Sequence, residues 1–280
     1  MPVINTNLAA NSALRYVNIN SSQQQNLLTQ LSSGLRVNKA SDDASALSIA
    51  SKIKADSITL GQAAINAGTA TAVLNTADGG YTAIANILAR LKAIATAAQA
   101  GTLDVNAFAN VDKEYQALLL EITSVTTATK FNGVALLDGA AAAGNFANAS
   151  GASVLLGTAA TDAITIKTSK SDLTTLTING TSVTSAANAV TAAGKIDAAI
   201  ATIAGYQSQG GADTSRVTFR TALINVSKEN ADASVSSLLN ADVAQVQTQY
   251  TSADVLTQSG IAALQKANAI PQELLRLLQS

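Results

Sequence analysis

Apolar residues recur every three or four positions at the start of the chain, which is the spacing of a helix that buries one face. The register consists of Leu14, Val17, Leu28, Leu31 and Leu35, with Ser21 and Gln24 as polar interruptions. Proline, the strongest helix breaker, occurs only at positions 2 and 271. The spacing predicts a continuous helix over residues 8–33, about 39 Å long at ~1.5 Å per residue.

Helical spacing continues over the next hundred residues. It runs from Ile49 to Leu74, from Ile84 to Ile94 and from Val111 to Val125. We expect the sequence Asp78-Gly79-Gly80 to break the first of these helices from the second, because glycine weakens helix interiors. Gly101 and Asp104 then separate the second from the third.

The middle of the chain has a different pattern. Residues 139–190 are rich in Thr, Ser, Ala and Gly, and β-branched alternation at Ile164-Thr-Ile166 and Leu176-Thr-Ile178 predicts short strands. Asn179-Gly180 is a two-residue hairpin signal. Helical spacing returns from Ile196 to Leu264. The fold class is therefore mainly α, with long antiparallel helices and a small β-hairpin or loop insert.

Each of the two helical halves has an apolar stripe that some other surface must cover. If they pair antiparallel, both termini meet at one end and the insert lies at the other. One such pair cannot enclose a core, so a neighbouring chain would have to cover the exposed stripe. The alternative is a monomeric helical bundle that covers itself, and periodicity alone leaves both open.

Composition excludes the commonest kinds of catalytic site. The 280 residues include no His and no Cys, which removes His-based triads, thiolate catalysis and His or Cys metal sites. Composition alone leaves open an enzyme built only on carboxylates, Lys or hydroxyl groups, but the usual catalytic residues are missing and we expect no enzyme activity and no cofactor. Charged residues make up only 12% of the chain and the net charge is −1, which favours association. Binding to nucleic acid would need clustered Lys and Arg.

No membrane partner and no ordinary cleavable leader are expected. Residues 1–30 lack a basic start followed by an apolar core. No apolar stretch approaches the ~20 residues that cross a bilayer.

Four segments resemble bacterial flagellin, the subunit of the flagellar filament. They are VINTN at 3–7, LSSGLRVN at 31–38 with ASDDA at 40–44, FNGVALL at 131–137, and ANAIPQELLRLL at 267–278. They follow the family's order and together cover roughly residues 1–138 and 190–280. The resemblance implies a secreted structural protein that polymerises into the extracellular filament used for swimming.

The resemblance also implies a division into domains. Residues 1–40 and 240–280 would form an inner coiled-coil domain lining the filament channel. Residues 41–138 and 185–239 would form a helical bundle, and residues 139–184 a short β-rich insert in place of a full outer domain. Gly34 is either a plain helix end or the link between the two helical domains, and the resemblance favours the link.

Partners and contacts follow from the same resemblance. The implied partners are further copies of the chain, a flagellar export chaperone, and the filament cap and hook-junction proteins. The expected polymer contacts are Ile4, Asn5, Leu28, Leu31, Leu35, Arg36, Val246, Leu264, Leu274, Leu275 and Leu278. The dense leucines after Pro271 are expected to pack on another subunit, with Pro271 opening a final helical turn.

A vertebrate Toll-like receptor is a further implied partner. In the family it grips a motif of the type Gln-Arg-x-Arg-Glu-Leu-Ala-Val and a Glu on the next helix. Here residues 89–96 read ARLKAIAT, and Glu114 follows at the matching spacing. The expected receptor contacts are Arg90, Leu91, Ile94 and Glu114, on a face that the filament should bury.

Three features of the sequence bear on other interpretations. Asp42-Asp43 could suggest acid–base or metal chemistry, but adjacent helical side chains point about 100° apart. A capping or salt-bridge role at the first turn of the next helix is expected instead. A hook–filament junction protein shares similar termini. A secreted helical translocator or pore former would need a long apolar hairpin, which the chain lacks.

Overall fold

The structure is a computed structural model that describes residues 7–100, 104–139 and 151–278, with side chains described as far as residue 271. The described helices are α1 (Leu8–Ser33), α2 (Ala44–Gln99), α3 (Val105–Ala128), α4 (Ala186–Leu239) and α5 (Val243–Leu278). Two antiparallel hairpins lie between α3 and α4. They pair β1 (Lys130–Phe131) with β2 (Val134–Ala135), and β3 (Ala152–Leu155) with β4 (Ala163–Ile166). The predicted mainly α class is confirmed.

Short polar side chains set where the helices begin. Asp43 Oδ1 accepts the N–H of Ala46 at 2.9 Å, and Asp104 Oδ1 accepts that of Ala107 at 2.7 Å. Each satisfies a backbone donor that the first turn leaves unpaired. Asp42 binds the preceding loop instead, through the N–H groups of Asn38 and Lys39. The capping role predicted for the pair is confirmed for Asp43 and is wrong for Asp42.

Gly34 ends α1 in the left-handed conformation that glycine adopts most easily. Its φ is +70°, and its N–H donates to the carbonyl of Gln30 at 2.8 Å. The chain then turns towards α2. This geometry fits the helix end that either interpretation of Gly34 requires.

The predicted helix break at Asp78-Gly79-Gly80 is wrong, since α2 runs unbroken through it. A Cβ placed on Gly80 would lie 2.6 Å from Leu137 Cδ1 and 2.8 Å from Thr129 Oγ1, whereas one on Gly79 would meet nothing within 4 Å. Gly80 therefore permits close packing against the segment after α3. The sequence signal was real, but its cause was packing instead of a turn.

The strand predicted at Leu176-Thr-Ile178 is also wrong, whereas the one at Ile164-Thr-Ile166 is confirmed as β4. The N–H groups of Ile178 and Asn179 both donate to the carbonyl of Leu173, at 3.1 and 3.2 Å, so this stretch folds on itself as turns. Leu176 and Ile178 are buried in the helical core. Burial of alternate side chains, without a partner strand, explains the pattern.

The chain divides into two compact units, residues 1–56 with 229–280, and residues 57–228. The first has a small apolar cluster on α1 and α5. The second has two larger clusters, and the segment before α4 contributes to both, with Leu156 and Ile166 in one and Leu176, Ile178 and Val183 in the other. The domain boundaries predicted near residues 40 and 240 fall in the connections between helices and stay a prediction.

Among the described residues, no helix is long and apolar enough to cross a membrane.

Candidate assembly surface

Helices α1 and α5 run antiparallel along each other. Asn7, before α1, bonds to the carbonyl of Ala267 near the end of α5, and Leu35, after α1, forms a β-bridge with Asn240, before α5. Gly260 of α5 lies so close to α1 that an added Cβ would meet Val17 Cγ2 at 2.8 Å. The two helices are therefore in close contact along much of their length.

Polar groups hold both ends of this pair. Where α1 meets the start of α5, the Arg36 N–H donates to the Leu239 carbonyl at 2.6 Å, and the Ala241 N–H donates to the Gly34 carbonyl at 2.9 Å. The Arg36 guanidinium also donates to the Leu238 carbonyl at 2.8 Å. These bonds satisfy backbone groups that the helix ends leave unpaired.

At the other end, Pro271 lies inside α5 and does not open a separate turn, so that expectation is wrong. Proline has no N–H, so it cannot donate to the carbonyl four residues earlier. That carbonyl belongs to Ala267, and the Asn7 side-chain amide donates to it at 2.7 Å. Asn7 also caps α1 by accepting the Ala10 N–H at 3.0 Å. One asparagine thus serves both helices.

This unit buries few large apolar side chains compared with the number that it exposes. Its buried cluster consists of Leu27, Val246 and Ala253, with Leu31, Ala241 and Tyr250 packed against it. Large apolar side chains that remain 44% or more exposed are Leu8, Leu14, Tyr16, Ile19, Leu28, Ile49, Val243, Val255, Leu256, Ile261 and Ile270. Exposed apolar area on this scale is typical of an interaction surface.

The predicted polymer contacts fall into several groups. Leu28 and Arg36 are exposed, and Leu31, Leu35 and Leu264 are half-buried. Val246 is buried in the seam between α1 and α5, so its assignment as a contact with a neighbouring chain is corrected. Ile4 and Asn5 lie outside the described residues, and the side chains of Leu274, Leu275 and Leu278 lie beyond those described.

A second apolar stripe on this unit lies outside the register predicted from the sequence. Tyr16 and Ile19 on α1, and Val255 and Leu256 on α5, are all more than half exposed. The predicted register ran through Leu14 and Val17 and did not include these four residues. A helical wheel carrying every large apolar side chain of residues 8–33 shows Tyr16 and Ile19 three positions apart on one face.

The second unit carries the pair of charges that the sequence singled out. Arg90 on α2 donates through Nε to Glu114 Oε1 on α3 at 3.0 Å, and Lys92 pairs with Asp197 on α4. All four side chains are about half exposed, so each pair contributes only ~0–1 kcal/mol to stability. Leu91 and Ile94 are buried in the core. Their assignment as receptor contacts is therefore corrected, and the exposed candidates are Arg90 and Glu114.

Two tyrosines of this unit are buried and hydrogen-bonded. Burial raises the pKa of Tyr81 to about 12, and the Tyr81 hydroxyl donates to the Ser169 carbonyl and accepts the Ser169 N–H. Burial also raises the pKa of Tyr115, whose hydroxyl lies 2.7 Å from that of Thr181. No group of three or more carboxylates in the described ranges is placed to hold a metal ion.

Comparison with known proteins decides the family. Residues 4–142 match the bacterial flagellin N-terminal helical region, and residues 193–278 match the bacterial flagellin C-terminal helical region. A flagellin of Halalkalibacterium halodurans is 30% identical over 279 residues, which cover 99% of this chain and 100% of that protein. The chain belongs to the bacterial flagellins.

Other relatives of this flagellin agree over the same length. Flagellin of Bacillus subtilis is 30% identical, with 99% of each chain covered. The flagellar filament 30.7 kDa core protein of Treponema maltophilum is 27% identical, again with 99% of each covered. Flagellins are structural proteins and not enzymes, so this chain is a structural subunit of the bacterial flagellar filament. The junction-protein and translocator alternatives are not favoured.

Proposed function

We propose that this flagellin polymerises with itself into an extracellular helical filament, in which neighbouring copies cover the exposed stripes of α1 and α5. The observation that carries the proposal is the imbalance in this unit between the small cluster at Leu27 and the large apolar surface around it. Ordering a residue costs ~1–2 kcal/mol of backbone entropy. Burial against several neighbours would offset that cost, at about 25 cal/mol per Å² of apolar area.

The domain assignment follows the same reasoning. We assign residues 1–40 and 240–280 to the inner domain that lines the channel, and residues 41–138 and 185–239 to the helical-bundle domain. Residues 139–184 form the short insert. Backbone bonds between Arg36 and Leu239, and between Ala241 and Gly34, support a junction at this place because they tie the two connections together.

Unassembled copies need protection from one another. The apolar stripes of α1 and α5 would associate prematurely inside the cell, so an export chaperone that covers such a stripe would keep the chain competent for type III export. The cap and the hook-junction protein would present matching stripes at the two ends of the filament. These partners are inferred from the family.

For the Toll-like receptor we propose weakened recognition through Arg90 and Glu114. The two charges are already paired, so binding must exchange that pair for contacts with the receptor. Lys92 lacks the planar fork of Arg, and Ala89 and Ala93 replace hydrogen-bonding groups, each worth ~0.5–1.5 kcal/mol. Reporter cells given monomer should therefore respond five- to a hundredfold more weakly than to a flagellin with the full motif. Ala89→Gln with Ala93→Glu should raise the response, and no change would contradict the assignment.

Elongation of sheared filament seeds tests self-assembly directly. Purified full-length monomer should lengthen the seeds under the electron microscope. A chain that ends at residue 270 should not, although its circular dichroism should still show the folded helical unit of residues 57–228. Long filaments from the truncated chain would contradict the proposed role of the C-terminal leucines, and failure of the full chain to elongate any seed would contradict self-assembly.

A further inference from the structure

A groove on the second unit exposes apolar side chains that do not belong to the stripes of α1 and α5. It lies between α4 and β4, has a volume of about 410 Å³, and is lined by Ala163, Ile164, Arg216, Phe219, Arg220 and Leu223. Phe219 is 77% exposed and Leu223 is 54% exposed. Such an exposed pair beside an open groove is typical of a surface that another molecule covers.

The groove carries positive charge along one side. Arg216 and Arg220 are one helical turn apart on α4 and so lie on the same face. Arg216 Nη1 donates to Asp213 Oδ1 at 2.9 Å, and the Asp213 side chain is almost fully buried, which fixes the first guanidinium. Within the described part of the chain, Arg220 has no ion-pair partner. The groove is thus suited to an apolar side chain that has a carboxylate beside it.

The exposed face of α3 has those properties. Leu120 is 70% exposed, and the adjacent Glu121 is exposed with no ion-pair partner among the residues described. Ala117 and Ser124 flank them on the same face, and such small side chains allow a second surface to approach the helix closely. Leu120-Glu121 and Phe219-Arg220 are therefore complementary in both hydrophobicity and charge.

We propose that Leu120 of one copy occupies the α4–β4 groove of a second copy, with Glu121 paired to Arg220. Leu120 and Phe219 are both largely exposed within one chain, so they do not cover each other there. The contact would therefore form between two copies. A contact between two different patches is heterologous, and it generates open helical filaments when the rotation does not close a ring. The inference rests on the proposed self-assembly and names one contact within it.

Charge reversal tests this contact. Arg220→Glu and Glu121→Arg each place like charges across the interface, so each should raise the critical concentration for assembly about tenfold or more. The double variant E121R/R220E restores opposite charges and should assemble at a concentration close to that of the unmodified chain. An equimolar mixture of the two single variants should also assemble better than either alone.

Stability measurements on the monomers separate assembly from folding. Glu121 is exposed and Arg220 is half-buried, and neither has an ion-pair partner in the described ranges, so urea denaturation of each single variant should stay close to that of the unmodified chain. Normal assembly of R220E, or a double variant as impaired as the single ones, would overturn the proposed contact. Failure of the unmodified chain to assemble would instead contradict self-assembly itself.

Discussion

At the scale of single residues, Gly79 and Gly80 are neighbours on α2 with different surroundings. A methyl group on Gly79 meets open space, whereas one on Gly80 meets Leu137 and Thr129. Gly79→Ala should raise the free energy of unfolding by ~0.5–1 kcal/mol, because alanine loses less backbone entropy in a helix. Gly80→Ala should lower it by ~1–3 kcal/mol through overpacking. Urea denaturation of the monomers measures both, and shifts of the same sign would contradict this assignment.

Tyr81 links one buried hydroxyl to the pH dependence of stability. The unfolded chain releases this proton near pH 10, but the folded chain holds it to about pH 12. Between these values the unfolded state binds fewer protons, so stability falls as pH rises. The raised pKa of Tyr81 contributes about 2–3 kcal/mol to the free energy of unfolding, at 1.36 kcal/mol per pKa unit. This contribution is fully present below pH 10 and is lost as the pH rises towards 12.

Tyr81→Phe isolates this contribution from the titration of lysines and of Tyr115. The variant should be less stable at pH 7 by ~1–3 kcal/mol, because both backbone groups of Ser169 lose a partner. Its stability should then decline less steeply above pH 10 than that of the unmodified chain. Denaturation curves between pH 8 and pH 11 would show this, and equal slopes would contradict it.

At the scale of elements, Asn7 and Pro271 form a matched pair across the ends of α1 and α5. Asn7→Ser should keep a cap on α1 but remove the amide that reaches the Ala267 carbonyl. We expect the critical concentration for assembly to rise about fivefold, the equivalent of ~1 kcal/mol. In a Pro271→Ala background, residue 271 can donate to that carbonyl itself, so the same Asn7 change should have a smaller effect. An equal effect in both backgrounds would show that the two residues are not coupled.

Features determined by neighbours in the sequence were predictable, whereas those determined by distant contacts were not. The span of α1 and the cap at Asp43 depend on residues within a few positions, and the strand at Ile164-Ile166 pairs with residues only 10 to 14 positions earlier. The role of Gly80 depends on Leu137, and the partner of Lys92 is Asp197, 105 positions away. The helical register correctly placed Val246 on an apolar face. The register alone does not show whether that face packs on another helix of the same chain or on a neighbouring chain.

At the scale of the whole molecule, the two compact units differ in how fully each buries its own apolar side chains. Residues 57–228 bury Leu88, Tyr115 and Ile122 in a core that helices and inserted loops close together. The terminal unit has a small buried cluster at Leu27, Val246 and Ala253, and it exposes large apolar side chains along both helices. The central claim is therefore that neighbouring copies complete the terminal unit.

Amide hydrogen exchange, compared between dilute monomer and assembled filament, tests that claim most directly. In the monomer, residues 8–33 and 243–271 should exchange rapidly, while the core segments around Leu88 and Ile122 should be protected. In the filament the two terminal stretches should become protected by at least about a thousandfold, the equivalent of ~4 kcal/mol. Terminal helices that are already strongly protected in dilute monomer would contradict the claim.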